Sequence, residues 1–388
     1  MREKPIGIHY ALLAIMAVAA MLACLYLWPR RNEGAFSSIR VEQSLQMPAI
    51  AKSRLRRIGD VPSSVKDSDE DVQLQFVNES CGWLSVEKEL WQTRDGGKNW
   101  QLVYDDPSDA IRQFEFIDAH VGWMITRTTL HKTDDGGSTW TVPLQPLHSA
   151  SEGHLSSLKF LGDHRRGWVS GGIYKSMSRD EYVPTRYMSA DERQSLRGVI
   201  FYTEDGGENW RRQLVTPHWG HFTVLFATDA EHAWVAGTAG AFYLSSQTWR
   251  QVEEPRPEPD TKTGVQSLAV RIGYPTIEPA CIFFLSPTLG WLSNSNGCLA
   301  ATRDGGRKWQ DIYYPNEVNA DSPDDFVRLF FVDEMNGWAR GYEGGLYSTT
   351  DGGRSWERQS PEIHFYDFCS DHSGIRWAVA KEGLFRFN

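Results

Sequence analysis

Thr93-Arg94-Asp95-Gly96-Gly97-Lys98-Asn99-Trp100 decides how this chain is read, because the same eight-residue pattern returns along the sequence. It recurs as Thr133-Asp134-Asp135-Gly136-Gly137-Ser138-Thr139-Trp140 and as Thr203-Glu204-Asp205-Gly206-Gly207-Glu208-Asn209-Trp210. Two more complete copies run from Thr302 to Trp309 and from Thr349 to Trp356. A recurring box of this kind is the mark of a repeat architecture. The Asp carboxylate can accept hydrogen bonds from N–H groups of its own turn, and the glycines permit the positive φ of a tight reversal. The Trp on the next strand then packs back over the turn. Asp95, Asp135, Asp205, Asp304 and Asp351 are therefore read as structural.

A Gly-Trp pair precedes each box on what reads as a second strand: Gly82-Trp83, Gly122-Trp123, Gly167-Trp168, Gly290-Trp291 and Gly337-Trp338. Upstream of each lies an aromatic-rich first strand, such as Gln113-Phe114-Glu115-Phe116 or Arg328-Leu329-Phe330-Phe331. One degenerate copy has Ala233-Trp234 and the shortened box Ser245-Ser246-Gln247-Thr248-Trp249, and another has Arg376-Trp377 and stops at Asn388 before any box. Residues 72–388 then divide into seven units of about 45 residues, the size of a four-stranded propeller blade. The sequence predicts an all-β, seven-bladed β-propeller, with a six-bladed ring as the alternative if the shortened fourth unit is absorbed elsewhere. The last copy supplies only three strands, so closure predicts a missing outer strand from before Val72, within Ile39 to Val61.

Composition agrees with short strands and tight turns: the 388 residues include 16 Trp and 34 Gly. A net charge of −10 with no basic domain argues against a nucleic-acid partner. The five cysteines, Cys24, Cys81, Cys281, Cys298 and Cys369, show no zinc-type spacing, and no disulfide is assigned. Neither a metal nor any other cofactor is implied.

The N-terminus reads separately. After a short basic start (1–10), Ala11 to Trp28 is an uncharged apolar run closed by Pro29-Arg30-Arg31. As a helix it spans about 27 Å, enough for the hydrocarbon core. Because the run continues through Leu25-Tyr26-Leu27-Trp28, an uncleaved transmembrane signal-anchor is favoured over a cleaved signal. Lipoprotein processing at Cys24, after Met21-Leu22-Ala23, is the alternative. Such an anchor places the propeller on the extracytoplasmic side. Residues 29–71 read as a polar linker that can include the ring-closing strand.

In an up-and-down blade the turns after strands one and three share a face, so all boxes mark one face. The long insertions fall on the other: Lys175–Arg197, Glu253–Pro279, and the links Pro143–Glu152 and Tyr313–Asp325. Long loops on a rigid scaffold are where recognition concentrates. Arg179, Tyr182, Arg186, Tyr187, Arg193, His218, Trp219 and His221 are the candidate partner-binding residues, since Arg and aromatic side chains dominate binding hot spots. His218 and His221 lie three apart on a loop, which does not make a metal site.

The boxes, the Gly-Trp strands and the length of the repeating region resemble the BNR/Asp-box propellers, and within them most closely the photosystem II stability/assembly factor family. The resemblance covers the whole repeating region. It implies a non-catalytic assembly protein that binds a protein client at a photosynthetic membrane. Asp-box propellers also include sialidases and other glycosidases, so a glycan-binding or glycoside-hydrolysing propeller is the alternative. The Arg-Ile-Pro element of sialidases is not matched by Arg57-Ile58-Gly59-Asp60-Val61-Pro62. Glycoside hydrolysis needs two positioned carboxylates, for which Asp105-Asp106, Asp191-Glu192 and Asp324-Asp325 lie in suitable loops.

Overall fold

The computed structural model describes residues 55–67, 72–106, 108–143, 145–147, 152–174, 196–252, 278–295, 297–313, 325–371 and 374–387, with only the backbone of His218. Seven antiparallel sheets form seven blades, and the six-bladed alternative is thereby excluded. The unit with the shortened box is a complete fourth blade, Phe222–Ala227, Ala233–Gly237, Gly240–Ser245 and Thr248–Gln251. Its third and fourth strands are joined at Ser246-Gln247, both at positive φ (51° and 61°), so a two-residue hairpin turn stands where other blades carry the box.

The inner strands of the blades are Val72–Phe76, Gln113–Phe116, Gly153–Phe160, Phe222–Ala227, Pro279–Phe284, Phe326–Phe331 and Phe365–Ser370. They surround a central channel. Blade 7 has three strands from the C-terminus, and its outer place is taken by Arg56–Gly59, antiparallel to Gly383–Phe387. The short helix Ser63–Asp67 follows, and its Val65 is buried with Val72 and Trp377 where blades 7 and 1 meet. Among the described residues blade 2 has three strands. Its exposed edge is satisfied by a bridge from Lys132 to Thr141 and by Gln145, whose side-chain amide accepts from Leu130 N (2.6 Å) and donates to Leu130 O (3.0 Å).

The core lies between blades, and it explains the Gly-Trp pairs. The Phe that ends the inner strand sits opposite the Gly of its own blade: Phe76 faces Gly82, Phe116 Gly122, Phe160 Gly167, Phe284 Gly290 and Phe331 Gly337. The ring lies flat on that glycine, so a Cβ on Gly82 would come within 2.6 Å of Phe76 and one on Gly290 within 2.5 Å of Phe284. Its other side stacks on the Trp of the preceding blade, as in Trp83–Phe116 (3.7 Å, 5°), Trp123–Phe160 (3.7 Å, 4°) and Trp291–Phe331 (3.7 Å, 3°). Where the inner strand ends in Ala227 or Ser370, the opposing residue is Ala233 or Arg376.

The predicted transmembrane segment, Ala11–Trp28, lies outside the described residues, as does Cys24. Among the described residues no helix is long and apolar enough to cross a membrane. Cys81, Cys281, Cys298 and Cys369 are free thiols.

Candidate functional site

Each box is a closed hydrogen-bond circuit. The Thr hydroxyl donates to the Asp Oδ1 (2.9 Å from Thr93 to Asp95) and accepts from the second Gly (2.9 Å from Gly97 N). Oδ1 also accepts the N–H four residues after the Thr-box Asp, from Asn99, Thr139, Asn209, Lys308 and Ser355. Oδ2 takes a side-chain bond from Asn99, Thr139, Asn209 or Ser355. Asn99 thereby holds Asp95 at a pKa of about 2, and Thr139 does the same for Asp135. Burial raises Asp205 and Asp351, yet the bonds from Asn209 and Ser355 leave both below the ordinary value.

The first Gly of each box donates to the turn between strands one and two, as in Gly96 to Ser80 O (2.9 Å) and Gly136 to His120 O (2.7 Å). Those turns therefore share a face. The next element of order joins blades: the Gly-Trp tryptophan donates to the box carbonyl of the following blade, Trp83 to Gly136 O (2.9 Å), Trp123 to Gly206 O (2.9 Å), Trp234 to Gly305 O (2.8 Å) and Trp291 to Gly352 O (3.1 Å). Blade 4 offers no box to Trp168. Gln213 Oε1 substitutes, accepting from Trp168 (3.1 Å) and from Trp249 (2.9 Å).

The opposite face carries the links and the turns between strands two and three. Arg179, Tyr182, Arg186, Tyr187 and Arg193 lie outside the described residues, as do Asp191, Glu192 and Asp324. Trp219 ends the outer strand of blade 3, paired with Arg197, and is half-buried. His221 is 8% exposed and lies inside the seam between blades 3 and 4, not on the loop surface. Its Nδ1 is 3.3 Å from Thr238 Oγ1, and its ring meets His154 edge to face at 5.2 Å. Burial depresses both imidazoles, His154 to about 3 and His221 to about 4, so both are neutral.

Sequence reading passed over Tyr342. It stands at the tip of a turn on this face and is 73% exposed, with its N–H held by Asp325 O (2.7 Å). The signal was an aromatic residue within Gly341-Tyr342-Glu343-Gly344-Gly345, a turn with nothing to pack it inward. Beside it, burial and then Glu343 push the Asp325 carboxyl above its ordinary value. Of the other candidate carboxylates, Asp106 is occupied by Ser108, which bonds Oδ1 through both Oγ (2.6 Å) and N (2.8 Å) and lowers its pKa. No group of three potential metal ligands occurs among the described residues.

The channel is a cavity of about 460 Å³. On the side of blades 1 to 3 its polar groups are spent on holding blades together. Gln75 accepts from Phe116 N and donates to Phe116 O (both 2.8 Å), copying a β-bridge. Gln113 treats Leu158 likewise (2.9 and 3.2 Å). Glu115 accepts Phe160 N (2.7 Å) and pairs with Lys159.

No family model and no curated protein matches this sequence. Solved structures do. The structure described as YCF48 bound to D1 peptide superposes over 88% of this chain and 97% of its own, at TM-score 0.59 and 19% identity. YCF48 from Cyanidioschyzon merolae gives 0.55 and 16% identity over 83% of this chain and 97% of its own. An ancestral GH74 enzyme gives 0.56 and 11% identity over 82% of this chain but 44% of its own. At these identities the likeness is one of fold, and proteins with quite different roles share it. What it establishes is that this chain is a β-propeller with the architecture seen in both YCF48 and GH74 structures.

Proposed function

We propose that this chain is a non-catalytic scaffold that grips a protein client through the face opposite the boxes, held at the extracytoplasmic side of a membrane by Ala11–Trp28. The observation that carries this reading is the division of labour between the faces. Box aspartates and inner-strand amides are consumed by the scaffold, while the opposite face receives the long insertions and presents Tyr342. The fold likeness to YCF48, one structure of which is described as bound to D1 peptide, is consistent with a protein rather than a small substrate as the partner. Photosystem assembly is the role the sequence resemblance suggests.

Capture of partners from a detergent extract with the full chain is the test. A membrane protein should be recovered, and Tyr342→Ala should reduce its recovery while an exposed box-face change, Arg307→Gln, should not. Recovery of chaperones alone sinks the proposal. A second reading, a glycoside-active propeller, draws on the raised Asp325 carboxyl beside Glu343, since such chemistry needs one carboxyl kept protonated near another. Hydrolysis on a glycan panel, abolished in Asp325→Asn, would replace the scaffold reading.

A further inference from the structure

The channel is not uniform around its circumference. Blades 4, 5 and 6 contribute Phe226, Phe283 and Phe330 at equivalent positions, next to last in their inner strands and each opposite the Trp of the second strand. The rings form one continuous arc, Phe226 to Phe283 at 5.5 Å and 61°, Phe283 to Phe330 at 5.5 Å and 64°. All three are half-buried and line the cavity. Arg328 lies two residues before Phe330, hence on the same side of the same strand.

Arg328 differs from every other polar group described in the channel wall above. Its one ion pair among the described residues is a long one, Nε to Asp367 Oδ1 at 3.5 Å, and Asp367 gives its other oxygen to Leu74 N at 2.8 Å. Its side chain is 45% exposed, and it lines the channel. A guanidinium has five N–H donors arranged to match a carboxylate, and one long contact leaves most of them unused. Charge points the same way. Arg112, Lys159 and Arg328 line the cavity against Glu115 in the lining and Asp367 behind Arg328, an excess of one cation in a chain whose net charge is −10.

We propose that the central channel binds a small organic carboxylate with an apolar, planar body: the carboxylate on Arg328, the body against the Phe226–Phe283–Phe330 arc. A cavity of about 460 Å³ accommodates a ligand of benzoate size and somewhat larger. The amides of Gln75 and Gln113 in the wall of blades 1 to 3 are already bonded to the next blade and offer the ligand no comparable partner. This site is independent of the client-binding face, so either proposal can fail without the other.

Fluorine NMR of para-fluorobenzoate with the full chain tests it, with para-fluorobenzamide as a neutral probe of the same shape. Saturable binding of the acid is expected, with the amide about ten-fold weaker or more, the range of a charged hydrogen bond lost. The double variant R328Q/D367N removes both charges of the pair together and should weaken the acid to the level of the amide. F283A removes the centre of the arc, leaves every charge in place, and should weaken both probes. Should the double variant fail to fold, as read by its circular dichroism, the acid-to-amide ratio on the unaltered chain and F283A still decide the matter. Equal affinity for acid and amide, full affinity in F283A, or no saturable binding overturns the proposal.

Discussion

At Gly122 the second strand of blade 2 has no side chain because the ring of Phe116 occupies the place of one. The glycine gives a flat backbone surface, and the ring it supports reaches the Trp of the blade before. Blade 4 shows the rule by exception: Ala227 ends the inner strand, the ring is gone, and Ala233 is tolerated opposite it. Gly122→Ala should therefore lower stability by about 1–3 kcal/mol, the cost of overpacking. Phe116→Ala should cost about 3–5 kcal/mol through the cavity it leaves. The double variant F116A/G122A recreates the pair of blade 4, and its loss should fall short of the sum of the two by about 1 kcal/mol or more. Urea midpoints of the four proteins measure this, and strict additivity would show that ring and glycine are not coupled. The Gly-Trp pair was legible in the sequence and so was the Phe before it. Why the two belong together was not, because the reason lies in the pairing register across the strands. A second expectation belongs to single residues. Asp95 and Asp135 titrate near 2 in the fold against 3.8 otherwise. Their contribution is thus complete above pH about 4 and disappears as pH falls through about 2. Carboxyl NMR titration checks it, and ordinary values would mean that the box bonds do not favour the ionised form.

Between elements, the seam of blades 3 and 4 departs most from the repeat. It has neither a Phe to stack on Trp168 nor a box carbonyl to accept its N–H, and Gln213 answers the second lack by serving two indoles at once. Gln213→Leu leaves two indole N–H groups without that acceptor, at a cost of about 2 kcal/mol or more, whereas Gln213→Glu keeps an acceptor oxygen and should lose less. A urea midpoint for the Leu variant equal to that of the parent would remove Gln213 from this role. The missing box was readable from Ser245-Ser246-Gln247. Its replacement was not, since Gln213 and Trp249 are brought together only by the fold. The same seam holds His154 and His221. Both have folded pKa values below 6.5, so the unfolded chain binds protons that the fold refuses. Stability is full above about pH 6.5 and falls as pH drops toward 4, by up to about 1.4 kcal/mol per pH unit for each histidine. Replacing His221 by Gln should flatten that slope in urea unfolding between neutral and acid pH, and an unchanged slope would place the titration elsewhere. Sequence reading set His221 on a loop between blades; in the fold Gly172, with no side chain of its own, leaves room for the His221 Cβ and the His154 ring at this seam.

For the whole molecule, counting strands favoured seven blades over six and was enough to give the face each turn occupies and the need for a strand upstream of Val72, while the fourth blade had to be seen to exclude six. The channel escaped that reading, because its lining takes three or four residues from each of seven separate inner-strand segments and no local pattern marks them. Ring closure makes the last prediction. Arg56–Gly59 covers Gly383–Phe387, with Arg57 Nε donating to Glu382 O at 2.7 Å, and Gly59 lies close under the box of blade 1, where a Cβ would come within 2.5 Å of Gly97 O. The strand thus joins the last blade to the first. A chain beginning at Lys52 retains the compact unit that spans Lys52–Asn388 and should match the urea midpoint of the full chain. A chain beginning at Asp60 loses the closing strand together with Leu55, which packs against the blade 7 core. It forfeits on the order of three backbone hydrogen bonds, or about 3 kcal/mol, and leaves an open strand edge that favours pairing between copies. Its midpoint should fall and its sedimentation should become concentration-dependent, while a synthetic peptide of residues 52–61 should restore both. An Asp60 chain as stable and as monodisperse as the Lys52 chain would mean that the ring is held shut by the contacts of the inner strands, and that the closing strand is carried along by them.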